Sequence, residues 1–259
     1  MDAGKRVILC EKPLATTVAD AEEVIERCRA AGVALLVGTN HLFDPAWGRA
    51  NHYLTALRGE VRSVSVTLSL PPNDRYHRAV TDATMPPSPP RPPADLSSPA
   101  IAAQVARALT SGLVVHDIPL LRDLARGEPR LTFARLLAPI GIALGWTVGQ
   151  TVFRSTAAML PGGADALWRL TVSTDRDRVH VSFPPAFVHA GSAAVTVRAA
   201  DGTRTTYPRQ SEDGYEAEWR ALAALAEGRS PVEYDEILAD ARFALALADA
   251  AAAATGGAA

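Results

Sequence analysis

The sequence predicts an α/β unit followed by an α+β unit: a short parallel sheet first, then a mixed, largely antiparallel sheet with flanking helices. Two patterns carry this expectation. Over residues 4–57, short apolar runs alternate with amphipathic helical stretches, the arrangement of right-handed βαβ units on a parallel sheet. From residue 61 onward the apolar residues recur at every second position, which marks strands with one wet face. The change of pattern sets the expected domain boundary near residue 59, with units at 1–58 and 59–259.

The first strand is Val7-Ile8-Leu9-Cys10, an unbroken apolar run with two β-branched residues, as expected of a strand buried on both faces. Glu11 and Lys12 follow, and Pro13 ends the strand because it has no N–H to donate. Ligands of open α/β sheets bind beyond the carboxyl ends of strands, so Glu11-Lys12-Pro13 is a candidate site. Thr17, with Asp20 three residues on, reads as a capping box with Asp in place of Glu. Val18, Ala21, Val24, Ile25 and Cys28 then keep helical spacing until Gly32 stops the helix. Val33 to Val37 is the second strand, ending at Gly38-Thr39-Asn40-His41. Pro45 opens a helix that runs to about Leu57.

In the second unit, Val64, Val66, Leu68 and Leu70 alternate strictly with Ser63, Ser65, Thr67 and Ser69. Residues 71–99 hold nine of the nineteen prolines, so a polyproline-like loop without packed structure is expected there. Helical spacing returns over 100–109 and 113–125. Strands are expected at 131–137, 147–154, 167–174, 179–183, 193–198 and 203–207, with turns at Asp175-Arg176-Asp177 and Ala200-Asp201-Gly202. Two closing helices, 214–227 and 234–253, are separated by Gly228-Arg229-Ser230-Pro231.

Composition narrows the function classes. The 259 residues suffice for one large domain or two smaller ones. A net charge of −2 gives no reason to expect nucleic acid or an anionic membrane as partner. The longest apolar run, Leu136 to Trp146, is far below the ~20 residues of a membrane-spanning helix. The N-terminus lacks the basic-then-apolar pattern of a signal peptide. Cys10 and Cys28 do not form a disulfide framework, so a reducing compartment, the cytoplasm, is expected. No zinc spacing, P-loop or nucleophile elbow occurs, and no metal is expected. His180 reads as a strand-face residue and His189 as a loop residue, while Trp146, Trp168 and Trp219 read as core or interface.

Four segments, in order, resemble one family. Lys5 to Ala15, around Glu11-Lys12-Pro13, is similar to the Glu-Lys-Pro signature of the Gfo/Idh/MocA oxidoreductases, among them glucose–fructose oxidoreductase and inositol dehydrogenase. Val37 to Ala46 resembles their next strand end, an Asn before Phe-x-Pro. Leu113 to Leu124 resembles the helix carrying their active-site histidine, and Glu218-Trp219 through Pro231 resembles their closing helices. The resemblance implies a Rossmann-type dinucleotide-binding unit, a mixed-sheet unit for substrate binding and homo-oligomer contacts, and NAD or NADP as cofactor. It implies hydride transfer to or from a carbon–oxygen centre of a sugar, polyol or related small molecule. By the match, Lys12 and His116 are the catalytic residues: Lys12 hydrogen-bonds the reacting oxygen, and His116 exchanges its proton, a task suited to a pKa near ~6.5. Glu11, Lys12, Pro13 and Asn40 are the cofactor-side residues; Asn40 either contacts the cofactor or bonds backbone at the strand end. A satisfied buried histidine is the competing reading of His116.

The chain departs from the family at three places. No Gly-x-Gly-x-x-Gly occurs, so the phosphate-binding turn is missing and the dinucleotide unit reads as a C-terminal remnant. Tight NAD(P) binding is therefore not expected, and the chain as it stands is expected to be inactive. Gly112 stands where many members have Asp, four residues before the histidine, which removes the carboxylate that would orient His116. Pro119 stands where a carboxylate is common. Asp117 is next to His116 in sequence but points elsewhere on a helix. The alternative function is a non-redox or non-catalytic binding or oligomerisation module derived from the same family.

Overall fold

The computed structural model describes residues 4–57, 59–71, 76, 81–82, 94–160, 165–185, 188 and 190–257. Residues 72–75, 77–80 and 83–93 of the proline-rich segment, and His189, lie outside them.

The chain opens as strand, helix, strand. β1 (Val7–Glu11) and β2 (Ala34–Gly38) pair in parallel, with Glu11 opposite Gly38. Between them runs α1 (Val18–Ala30), started by the Thr17 hydroxyl, which accepts from the Asp20 N–H at 3.1 Å. Gly32, with φ +61°, turns the chain back towards β2. Ile25 and Cys28 of α1 pack on Leu35 of β2 in a small core of their own. The expectation that β1 is buried on both faces needs correction: Val7, Ile8, Leu9 and Cys10 are only half-buried. β1 pairs with β2 alone among the described residues, so its second edge has no strand to cover it.

After β2 come the one-turn helix α2 (Asn40–Phe43) and α3 (Pro45–Leu57). Among the described residues the second sheet has eight strands: β3 (Val61–Leu70), β4 (Arg130–Leu137), β5 (Ile140–Val148), β6 (Thr151–Met159), β7 (Leu167–Thr174), β8 (Arg178–Phe183), β9 (Ala194–Arg198) and β10 (Arg204–Tyr207). Their spatial order is β10-β9-β8-β7-β3-β6-β5-β4. Every neighbouring pair is antiparallel except β3 with β6. The sheet is thus mixed and largely antiparallel, as the period-2 alternation implies. Val64, Val66, Leu68 and Leu70 all face the core.

The strand expected at 147–154 is replaced by a hairpin. Gly149, at φ +57°, reverses the chain between β5 and β6, and the apolar stretch from Ile140 becomes a strand in its own right. The helix expected at 113–125 is also divided. α4 (Pro99–Gly112) is followed by a 3₁₀ turn, Val114–Asp117, and then by α5 (Ile118–Leu124). Pro119 explains the break: its ring would clash with the carbonyl four residues earlier, at Val115, so an α-helix cannot run through. Two helices close the chain, α6 (Gly214–Ala226) and α7 (Tyr234–Gly256).

The main core lies under the large sheet. Trp47 and Ala50 of α3, Ile118, Leu120 and Leu121 of α5, and Phe243 and Leu247 of α7 pack on Leu68, Leu144, Phe153 and Leu170 of the strands. Burial on this scale, at about 25 cal/mol per Å² of apolar surface, holds α3, α5 and α7 against the large sheet. No helix among the described residues is long and apolar enough to cross a membrane.

Candidate active site

The parallel pairing of β1 with β2 places Glu11-Lys12-Pro13 beside Gly38-Thr39-Asn40 at the carboxyl end of the small sheet. Lys12 is half-buried. Its Nζ donates to the carbonyl oxygen of Gly112 at 3.1 Å, a contact across a hundred residues of sequence. That bond ties the strand end to the last residue of α4, just before the turn that carries His116. Burial lowers the pKa of the Lys12 ammonium, and the neighbouring Glu11 carboxylate pulls it part of the way back. Lys12 and Pro13 also line a cavity of about 410 Å³, walled by Leu36, Leu42, Val115 and Ile118. The size suits a small organic ligand.

His116 sits on the 3₁₀ turn. Its Nδ1 is fully buried and has no hydrogen-bond partner among the described residues. Burial is the first cause, and the Lys12 ammonium and His41 the next, that hold its pKa well below the ordinary histidine value. The ring is neutral at physiological pH, rather than poised near its unperturbed pKa.

Asn40 is the first residue of α2, and it lines a separate small recess with His41, Asp213 and Tyr215 instead of the cavity beside Lys12. Its backbone carbonyl approaches Gly214, where α6 begins: a Cβ at position 214 would lie 2.2 Å from it. Glu11 is exposed, and its carboxylate borders Gly38.

Five residues not singled out for the site from sequence turn out to sit in it. His41, on α2, is 4% exposed, and its Nδ1 lies 3.0 Å from Asp117 Oδ1. A carboxylate only accepts, so Nδ1 carries the hydrogen. Asp117 is 1% exposed and takes two further contacts from the Trp168 indole N–H, at 3.0 and 3.2 Å. Phe183 stacks on the His41 ring at 3.9 Å, and Trp168 meets it edge-on at 4.4 Å. Trp168 and Phe183 are register partners on β7 and β8, so the sheet itself sets the aromatic walls. Asp117 does point away from His116, as expected. The 3₁₀ turn aims it into the core, and nothing in local sequence shows that His41 and Trp168 wait there. The fifth residue is Glu218 of α6, 4% exposed, with Oε1 lacking a partner among the described residues. Burial, then the Glu11 charge, push its pKa to about 7. Gly38 makes room for both carboxylates: a Cβ there would meet Glu11 Oε2 at 3.1 Å and Glu218 Oε1 at 3.2 Å.

The remaining candidates lie elsewhere. His180 Nδ1 bonds its cross-strand partner Thr171 at 3.0 Å. Trp146 and Trp168 are buried, whereas Trp219 is 62% exposed on α6. Among the described residues no group of three or more His, Cys, Asp or Glu is placed to hold a metal ion.

Comparison with known proteins adds two findings. Residues 1–39 match the family model GFO_IDH_MocA, described as an oxidoreductase family with an NAD-binding Rossmann fold. No curated protein sequence matches the chain. Several solved structures share its fold. KijD10, a 3-ketoreductase from Actinomadura kijaniata solved with TDP-benzene and NADP, is 20% identical, with a TM-score of 0.66 over 96% of this chain and 70% of that one. The UDP-N-acetylglucosamine 3-dehydrogenase GnnA from Acidithiobacillus ferrooxidans is 17% identical, with a TM-score of 0.67 over 95% and 71%. An aldose-aldose oxidoreductase from Caulobacter crescentus is 22% identical, with a TM-score of 0.64 over 94% and 69%. The resemblance to the Gfo/Idh/MocA oxidoreductases is thereby borne out, in the family model at the first 39 residues and in a fold shared with these dehydrogenases and reductases along nearly the whole chain.

Proposed function

We propose that this chain provides the nicotinamide and substrate end of an NAD(P)-dependent oxidoreductase acting on a secondary alcohol or ketone of a sugar, polyol or sugar nucleotide. One observation carries the reading. The Lys12–Gly112 bond gathers the strand-end lysine and the His116 turn into one site, beside a cavity of ligand size. Neither residue's position explains the other locally.

The residues fit one end of a dinucleotide. Glu11, Lys12 and Pro13 stand at the carboxyl end of a parallel strand, where such ligands bind, whereas Asn40, at the end of the next strand, lines the separate recess. No residue of this chain offers a Gly-rich pyrophosphate cradle. When bound, the nicotinamide supplies the hydride chemistry. In oxidation, the half-buried Lys12 ammonium donates a hydrogen bond to the substrate oxygen as negative charge develops there. Neutral His116 accepts the hydroxyl proton, and because Nδ1 is sealed in the core, Nε2 is the nitrogen we assign to the exchange. In reduction the same groups return the proton. Residues 1–58 form the cofactor side, and 59–259 form the substrate side with a sheet surface for homo-oligomer contacts. The KijD10 and GnnA folds support the sugar-nucleotide class as the first substrates to try.

The reading is tested by incubating the chain with NAD⁺ or NADP⁺ and a panel of nucleotide sugars, free sugars and polyols, watching the absorbance of reduced nicotinamide. Turnover that disappears in Lys12→Met supports it. Turnover that survives Lys12→Met refutes the assigned site. Binding of a nucleotide sugar that Lys12→Met leaves unchanged favours the alternative, a non-redox binding module.

A further inference from the structure

We propose that Asp117 positions His116 through the indole of Trp168, with His41 as the lock on the carboxylate; this rests on the reading of His116 as the proton acceptor. His116 has a problem of orientation. Its Nδ1 has no hydrogen-bond partner among the described residues, and the residue four positions earlier, where a helix would offer a side chain on the same face, is Gly112. The ring is held by an aromatic contact. Trp168 meets it edge-to-face, with centroids 5.0 Å apart and planes at 78°. Such a contact fixes the histidine only as firmly as the indole is fixed.

The indole is fixed at both ends. Its backbone lies in the middle of the sheet, paired with Leu68 on one side and Phe183 on the other. Its N–H is shared between both oxygens of Asp117, at 3.0 and 3.2 Å. Asp117 follows His116 directly in sequence, so one 3₁₀ turn carries the imidazole and the anchor of the ring that packs on it. The result is a short closed circuit: His116, backbone, Asp117, Trp168, His116. His41 completes it from the other side. Its Nδ1–H satisfies Asp117 at 3.0 Å, its ring lies between Phe183 and Trp168, and its centroid is 6.1 Å from that of His116. The groups facing His116 from the packed elements are therefore Lys12 from the end of β1, His41 from α2 and Trp168 from β7. Asp117 reaches it only through them.

A purely structural role for this cluster would predict a loss of stability on mutation and nothing else. Positioning predicts a change at His116 itself. The test is side-chain nitrogen NMR on the full chain, comparing wild type with Asp117→Asn, which keeps the size of the side chain and leaves Trp168 in place. The expected result is that the Trp168 indole N–H exchanges with solvent about tenfold faster, its anchor being weakened. In the same sample, the His116 side-chain nitrogen shifts should move as the ring loses the position that the indole gives it. Trp168→Phe, which keeps a ring but removes the N–H, should move the same shifts and serves if the first variant does not fold. His116 nitrogen shifts that stay at their wild-type values in a folded variant overturn the proposal. The measurement needs neither cofactor nor substrate, so its failure is distinct from failure of the oxidoreductase reading. Where turnover is established, both variants should lower kcat about tenfold or more at unchanged KM.

Discussion

Replacing Glu218 with Gln should reverse the chain's stability loss on the alkaline side. Glu218 is 4% exposed, its Oε1 has no partner among the described residues, and the Glu11 carboxylate is its charged neighbour across Gly38. Its pKa is raised from 4.5 to about 7. The folded state therefore holds a proton that the unfolded state releases. Stability from this group is fully present below about pH 4.5, declines as pH rises, and is lost above about pH 7. A displacement from 4.5 to about 7 corresponds to about 3 kcal/mol at 1.36 kcal/mol per pH unit. Screening of the exposed Glu11 charge reduces this to about 2 kcal/mol. His116 acts in the opposite direction and on the acid side, because its pKa is lowered: below about 6.5 the unfolded chain takes up a proton that the native state refuses. The comparison of Glu218→Gln with wild type isolates the glutamate. Urea denaturation across the pH range is the assay. The variant should match wild type near pH 4 and exceed it by about 2 kcal/mol near pH 8. A difference that is the same at both ends would show that the buried carboxylate does not titrate with folding, and the argument from burial and the Glu11 charge would be wrong.

Three further outcomes are expected. In a preparation with established turnover, His116→Ala should reduce kcat by at least ~100-fold, the usual weight of a positioned acid–base group, while cofactor affinity measured by fluorescence stays within about twofold. A variant with normal kcat would remove His116 from the mechanism. Gly214→Ala should destabilise by about 2–3 kcal/mol, since the new Cβ would lie 2.2 Å from the Asn40 carbonyl oxygen and α6 would have to move away from α2; a neutral result in denaturation would mean that the helix yields freely. Asp44→Asn should cost about 1–3 kcal/mol. Its two carboxylate oxygens accept from the Ala46 N–H at 2.8 Å and the Ala193 N–H at 2.9 Å, and an amide can serve only one of them. An unchanged thermal midpoint would refute that count.

The sequence alone determined the order of elements wherever the physics is local. Thr17 caps α1 because a hydroxyl at that position meets an unpaired helix N–H. The alternation from Val64 to Leu70 made a one-sided strand because side chains on a strand point to opposite faces in turn. Pro13 and the parallel pattern located Lys12 at a strand end. Where apolar runs lacked a second signal, the reading slipped. Ile140 to Trp146 offered hydrophobicity without alternation, and Gly149 was needed to show a hairpin rather than one strand through Thr147. Pro119 was visible, but its effect, a 3₁₀ turn that swings Asp117 inward, depends on the backbone path around it.

Only the tertiary structure decided who meets whom. The Lys12–Gly112 bond, the His41–Asp117–Trp168 cluster and the facing of Glu11 with Glu218 each join residues from distant elements. Sheet register and helix packing bring them together, and neither is written in any one segment. The pKa of His116 belongs to the same class. Its residue type sets a reference value, but burial and the neighbours Lys12 and His41, all products of the fold, make it a neutral imidazole.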